Sequence, residues 1–143
     1  MIDVINLQRK VKIHASHFRD FVHSLPASVN EAEGSTFSVA FVSDRRMTEL
    51  NRLFRGKDST TDVLSFPHEA DEFETHEQHF LGDIVISAEQ AAKQAIENGL
   101  SLELEIKQLM LHGVLHLCGY DHETDGGEMN ARELELRDAL GIS

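Results

Sequence analysis

Residues 112 to 122 read HGVLHLCGYDH, three histidines within eleven positions and a glycine between the second and third. On a helix, His112 and His116 lie four apart on one face, about 6 Å from each other along the axis and close enough to share one ion. Gly119 admits a backbone conformation that a residue with a Cβ resists, so it turns the chain out of the helix. After that turn His122 folds back toward the other two. Three neutral imidazoles suit Zn²⁺, and three protein ligands leave a fourth position for water, which separates catalytic zinc sites from closed structural ones. The expectation is an open His₃ centre with one zinc ion per chain. Two histidines at helical spacing are by themselves often only polar residues on a face; the glycine and the third histidine in register make the set a site. A structural zinc would need a fourth ligand, for which Asp121, Glu123 and Cys118 are the neighbours on offer. Cys118 fits better as a small hydrophobe in the core.

The spacing is similar to that of the metzincin proteases, H-E-x-x-H-x-x-G-x-x-H. Those proteases carry, directly after the first histidine, the Glu that acts as general base on metal-bound water. Here that position is Gly113. A peptidase built on this frame would need its carboxylate delivered from elsewhere, which makes proteolysis the minor alternative.

The elements that must position these residues follow from the periodicity. IDVINL reads as a strand, and ASHFRDFVHSL as a helix with Phe18, Phe21, Val22 and Leu25 on one side. Pro26, Asn30 and Gly34 mark a turn before a second strand, TFSVAFVS. Ser43 caps the helix DRRMTELNRLF, whose apolar stripe is Met47, Leu50 and Phe54 and whose stop is Gly56. TDVLSF and FLGDIVIS are two more strands, separated by the exposed acidic loop HEADEFETHEQH, whose His68, His76 and His79 read as solvated rather than as a second metal site. Ser87 and Gln90 form a capping box for AEQAAKQAIEN, ended by Gly99. Ser101 caps LELEIKQLMLHGVLHLC, nearly apolar all round at its C-terminal end and therefore buried. Asp125 and Glu128 resemble a capping box for MNARELELRDAL, stopped by Gly141. The pattern predicts a single α/β (α+β) domain over residues 1–143, with one mixed sheet of about four strands packed against helices.

At 143 residues the chain is long enough to bury a core without metal or disulfide as a staple. No apolar run reaches the roughly 20 residues of a membrane span, and no signal-peptide order is visible at the N-terminus. With a lone cysteine, the expected location is the cytoplasm and no membrane partner is expected. The formal net charge of −12 argues against a polyanionic partner, yet five of the thirteen basic residues, Arg45, Arg46, Arg52, Arg55 and Lys57, fall within thirteen positions. Any nucleic-acid contact should use that segment; the bland alternative is a solvated helix face.

HGVLHLCGYDHE, together with FRGKDSTTDVLSFP and GDIVIS, closely resembles the bacterial YbeY family of metal-dependent endoribonucleases and rRNA maturation factors. The resemblance runs from Asn51 to Glu123. It implies a mixed α/β domain, zinc on His112, His116 and His122, and a functional arginine at Arg55. It also implies maturation of the 3′ end of small-subunit ribosomal RNA, a part in ribosome quality control, and partners that include the small ribosomal subunit and assembly factors, with no DNA expected. The chemistry of the residue agrees, since a guanidinium offers forked donors that match phosphate oxygens; without the resemblance the alternative is an arginine favoured at a helix C-terminus by the macrodipole. Arg55 and His112 are thus the expected catalytic residues, and Arg45, Arg46, Arg52 and Lys57 the expected RNA-binding ones. Asp58, Thr60, Thr61 and Asp62 are expected to set the turn into the next strand, and Ser65, Phe66 and Pro67 to line a cleft wall. A different class of reading keeps the metal site as a binding device in a ribosome-assembly factor with little catalysis of its own.

Overall fold

A computed structural model describes residues 4–69 and 79–143. Most of the acidic loop predicted between the third and fourth strands, including His76, lies outside the described residues. Along the chain the elements are β1 (Val4–Asn6), α1 (Ser16–Ser28), a 3₁₀ turn (Asn30–Ala32), β2 (Ser35–Val42), α2 (Asp44–Arg55), β3 (Val63–Pro67), β4 (His79–Ser87), α3 (Ala88–Asn98), α4 (Leu102–Leu117) and α5 (Glu128–Leu140). Among the described residues the strands form one sheet in the order β1-β2-β4-β3, with β1, β2 and β4 parallel and β3 antiparallel to β4. The predicted mixed sheet of four strands is therefore present.

Strand alternation divides the side chains between two layers. Phe37, Val39, Phe41, Ile84 and Ile86 join α1 and α4 in the main core, where Leu25, Met110, Leu111, Val114 and Leu115 are fully buried. Val42 and Leu64, on the opposite face, pack with Met47 of α2 in a smaller cluster that Leu50, Phe66 and Val85 border. The sheet is thus covered on both sides, and the deeper layer belongs to α4.

Helix ends largely follow the capping residues in the sequence. The hydroxyls of Ser43, Ser87 and Ser101 accept from the backbone N–H of Arg46, Gln90 and Leu104. Two boundaries differ from expectation. Helix α1 runs on through Pro26 to Ser28, because burial of Leu25 and Val29 holds that last turn in the core. At α5 the cap is Gly127, not Asp125. Asp125 still accepts from Gly127 and Met129 N–H, at 2.8 and 2.9 Å, but Glu128 reaches back to Gly126 N–H instead of closing the box on Asp125. Phe54, on the predicted apolar stripe of α2, is 64% exposed, its ring set edge-on to Phe66.

Gly113 is where α4 and the sheet come closest. A Cβ there would lie 2.9 Å from Ile84 of β4, and Ser65 of β3 donates to the Gly113 carbonyl at 3.2 Å. Position 113 therefore faces the sheet, and a side chain placed there could not serve as a base on the histidine side. Replacing Gly113 by Ala gains about 1 kcal/mol in helix propensity and costs about 1–3 kcal/mol in overpacking. The second term should win, so Gly113→Ala is expected to lower the urea midpoint; an unchanged or raised midpoint would mean that Ile84 swings aside freely.

Candidate metal centre and phosphate groove

Helix α4 delivers His112 and His116 from one face, and the chain leaves the helix at Cys118. Gly119 has φ of +103°, in the region that favours glycine, and the reversed chain returns His122. The three ring centroids lie 4.8, 5.5 and 5.2 Å apart, and one ligand atom from each can be chosen so that all fall within 4.8 Å of one another. Among the described residues no other such group of His, Cys, Asp or Glu exists. Asp121, Glu123 and Cys118 do not join it, so the residues that could hold an ion here are the three histidines.

Partners behind the rings fix which nitrogen faces the centre. His112 donates from Nδ1 to Glu133 Oε1 at 2.5 Å, and His116 donates from Nδ1 to the Tyr120 carbonyl at 3.0 Å. A carbonyl and a carboxylate only accept, so Nδ1 carries the proton in both rings and Nε2 keeps its lone pair for a metal. Burial, followed by the nearby His112 and His122, lowers the pKa of His116 and so favours the neutral ring, the form that ligates. Burial also pushes the Cys118 thiol up to about 11; it packs half-buried against the main core, as a small hydrophobe should.

Glu133, which the sequence reading did not single out, stands directly behind His112. It is buried, accepts from Arg137 as well as His112, and sits on α5, which the sequence marked only as a capped helix stopped by Gly141. Burial raises its pKa, but hydrogen bonding to His112 and the Arg137 charge outweigh that and hold it below the ordinary carboxylate value. A carboxylate so placed orients a metal-bound imidazole and raises its basicity. A second clamp holds the turn: Glu31 accepts from Arg132 at 2.8 and 2.9 Å and from the Tyr120 hydroxyl at 2.8 Å. Arg132 holds the Glu31 carboxyl down to about 2.

Two cavities flank the histidines. One, of about 760 Å³, is a groove lined by Arg55, Lys57, Ser65, Pro67 and all three histidines. Arg55 is 37% exposed there, and its Nη2 donates to Glu123 Oε1 at 3.3 Å, which ties the end of α2 to the residue after His122. The groove thus gathers Arg55 and Lys57 but not Arg45, Arg46 or Arg52, which stay exposed on α2. Arg46 pairs with Glu49 and Arg52 with Asp58. Ser65 and Pro67 line the wall as expected; Phe66 turns to the α2 face. The turn before β3 is structural: Thr60 donates to Asp44, and Asp62 accepts from Val63 N–H. His68 and His79 are exposed. The other cavity, of about 560 Å³, shares Asp62, His112 and His122 with the groove and extends to Glu133 and Arg137.

The family model described as endoribonuclease YbeY matches residues 3–141. A protein of that name from Bacillus mycoides is 40% identical, over 99% of this chain and 97% of its own. Another from Carboxydothermus hydrogenoformans is 39% identical over 99% of both chains. The solution structure of a Thermotoga maritima protein superposes with a TM-score of 0.64 at 27% identity, covering 99% of this chain and 90% of that one.

Glu133→Gln keeps the shape and removes the charge behind His112. Zinc affinity, measured by chelator competition on protein with unchanged circular dichroism, is expected to fall about 10- to 100-fold. Affinity equal to that of the wild type would show that Glu133 serves only the ion pair with Arg137.

Proposed function

The chain belongs to the YbeY family of endoribonucleases, and from that membership we propose that it uses one zinc ion to cleave single-stranded ribosomal RNA. The role follows the family: maturation of the 3′ end of small-subunit rRNA and ribosome quality control, in the cytoplasm, on the small ribosomal subunit and with assembly factors. The observation that supports it most is the groove in which Arg55 and Lys57 share walls with the three histidines.

The donor set fits the metal. Three imidazoles offer nitrogen donors, two of them locked with Nε2 free, and no thiolate competes. A zinc ion held there would polarise a phosphoryl oxygen or supply hydroxide at neutral pH. The chain's own groups do the rest. Arg55 presents forked donors to the non-bridging oxygens and stabilises charge that grows on them as the bond breaks. Glu123 holds the guanidinium at the groove until a phosphate replaces it as acceptor. Lys57 adds a point charge for a neighbouring phosphate, and Arg45, Arg46 and Arg52 provide attraction along α2 for more distant backbone. His112 is held by Glu133, which keeps the ring's tautomer and direction constant through the reaction.

Local charge reconciles a negative chain with a negative substrate. Attraction between exposed charges is screened beyond about 8 Å at physiological salt, so acidic residues elsewhere on the body matter less than the arginine and lysine within the groove. A metallopeptidase is disfavoured because position 113 packs on Ile84. The test is cleavage of a small-subunit rRNA 3′ fragment by the wild type and by Arg55→Ala, matched for metal content. A loss of about 100-fold or more with metal retained is expected. Equal cleavage by both would point instead to a contaminating nuclease or an uninvolved arginine, and would shift the weight toward an assembly factor whose metal site does not catalyse. The product ends then separate hydrolysis from attack by the neighbouring 2′-OH, which leaves a 2′,3′-cyclic phosphate.

A further inference from the structure

We propose that the second cavity beside the histidines is a nucleobase pocket, in which an unpaired base is held while the strand's backbone lies in the Arg55 groove. The proposal deepens the endoribonuclease reading and rests on it. Six polar or charged residues are buried among the described residues, and three of them, Glu105, Gln108 and Glu133, line this one cavity. Glu133 is explained by His112. Glu105 and Gln108 have no part in the metal centre, and neither Glu105 Oε2 nor Gln108 Oε1 is among the buried atoms left without a partner, so both stay accessible from the cavity.

The protein satisfies each of them only in part. Asn98 Nδ2 donates to Glu105 Oε1 at 2.7 Å, and Gln108 Nε2 donates to the Ile142 carbonyl at 2.6 Å. Among the described residues no donor reaches Glu105 Oε2 or Gln108 Oε1, and the side-chain amide of Gln94, on the cavity wall, has no protein partner. The cavity therefore offers acceptors and amide donors together, the mixture that matches the edge of an unstacked base. Leu100, Leu109 and Met129 add apolar wall for the ring faces.

Charge excludes other occupants. Asp62, Glu105 and Glu133 face the cavity against one cation, Arg137, whose Nη2 is paired with Glu133 while its Nε is buried without an acceptor; the three carboxylates disfavour a phosphate, and the free Nε adds a donor for a neutral acceptor. A second metal ion finds no converging ligands, since the three histidines are the one such group among the described residues. An uncharged planar group of about the size of a base remains.

Helical register links the pocket to the chemistry. Glu105, Gln108, His112 and His116 follow one another at intervals of three, four and four, on one face of α4 about 16 Å long. Base and scissile phosphate would thus be read by a single rigid surface.

The experiment is a side-chain amide NMR titration of the zinc-loaded protein with the tetraribonucleotide ACGU and with an abasic tetraribose phosphate. ACGU is expected to shift the amides of Gln94, Asn98 and Gln108 saturably, at least about tenfold more tightly than the abasic oligomer, while both move Arg55 and Lys57. Asn98→Ala, an exposed change at the end of α3, should erase most of that difference. If both oligomers move the groove and neither moves the three amides, the pocket is not a base site and the endoribonuclease reading stands. If ACGU moves neither groove nor amides, RNA binding fails and the pocket falls with it.

Discussion

The approach of α4 to β4 at Gly113 is the constraint on which the rest depends. With only a hydrogen where another residue has a methyl, the helix beds onto Ile84 closely enough that any Cβ would press on that side chain. That contact fixes the rotation of α4 about its axis. Met110, Leu111, Val114 and Leu115 must then face the core, and His112 and His116 must face outward toward the α2–β3 connection and α5. A rotation of α4 by one residue, about 100°, would bury the imidazoles against the sheet.

Once the rotation is set, the periphery supplies precision. Glu133 from α5 and the Tyr120 carbonyl from the turn each take a proton-bearing Nδ1, so neither ring can flip without breaking a hydrogen bond in a partly buried setting. The Glu31–Arg132 pair fastens that same turn to α5 and to the 3₁₀ segment through Tyr120. Arg55 arrives from the opposite layer, at the end of α2, and Glu123 joins it to the turn. Groups from both faces of the sheet therefore converge at one end of a single buried helix. Such convergence on regular elements, not on mobile loops, is what a site needs to hold charge-stabilising groups in place.

Much of this was legible in the sequence because it is local. The histidine spacing, Gly119 and the three serine caps are patterns within one turn of chain, and each appears where the pattern placed it. What escaped is what depends on contacts between distant segments. Glu133 stands 21 positions from His112, among six other acidic residues of the last 23, and nothing in its neighbourhood marks it as the one turned inward. Glu105 and Gln108 carry no mark in the sequence, because what buries them is distant: Asn98 at the end of α3 and the Ile142 carbonyl near the C-terminus. Gly113 was informative as a missing general base; its role as the contact with Ile84 needs the strand partner to be known. Phe54 belongs by spacing to the apolar stripe of Met47 and Leu50, yet α2 covers only a small cluster and leaves that ring at the surface.

The most direct measurement is zinc-edge X-ray absorption on the metal-loaded protein with the zinc content counted per chain. The account predicts one ion per chain with three imidazole nitrogens and a light oxygen donor at about 2.0–2.2 Å. A sulfur shell at about 2.3 Å, or fewer than three imidazoles, would contradict it, because Cys118 or an acidic neighbour would then have closed a site that the fold leaves open.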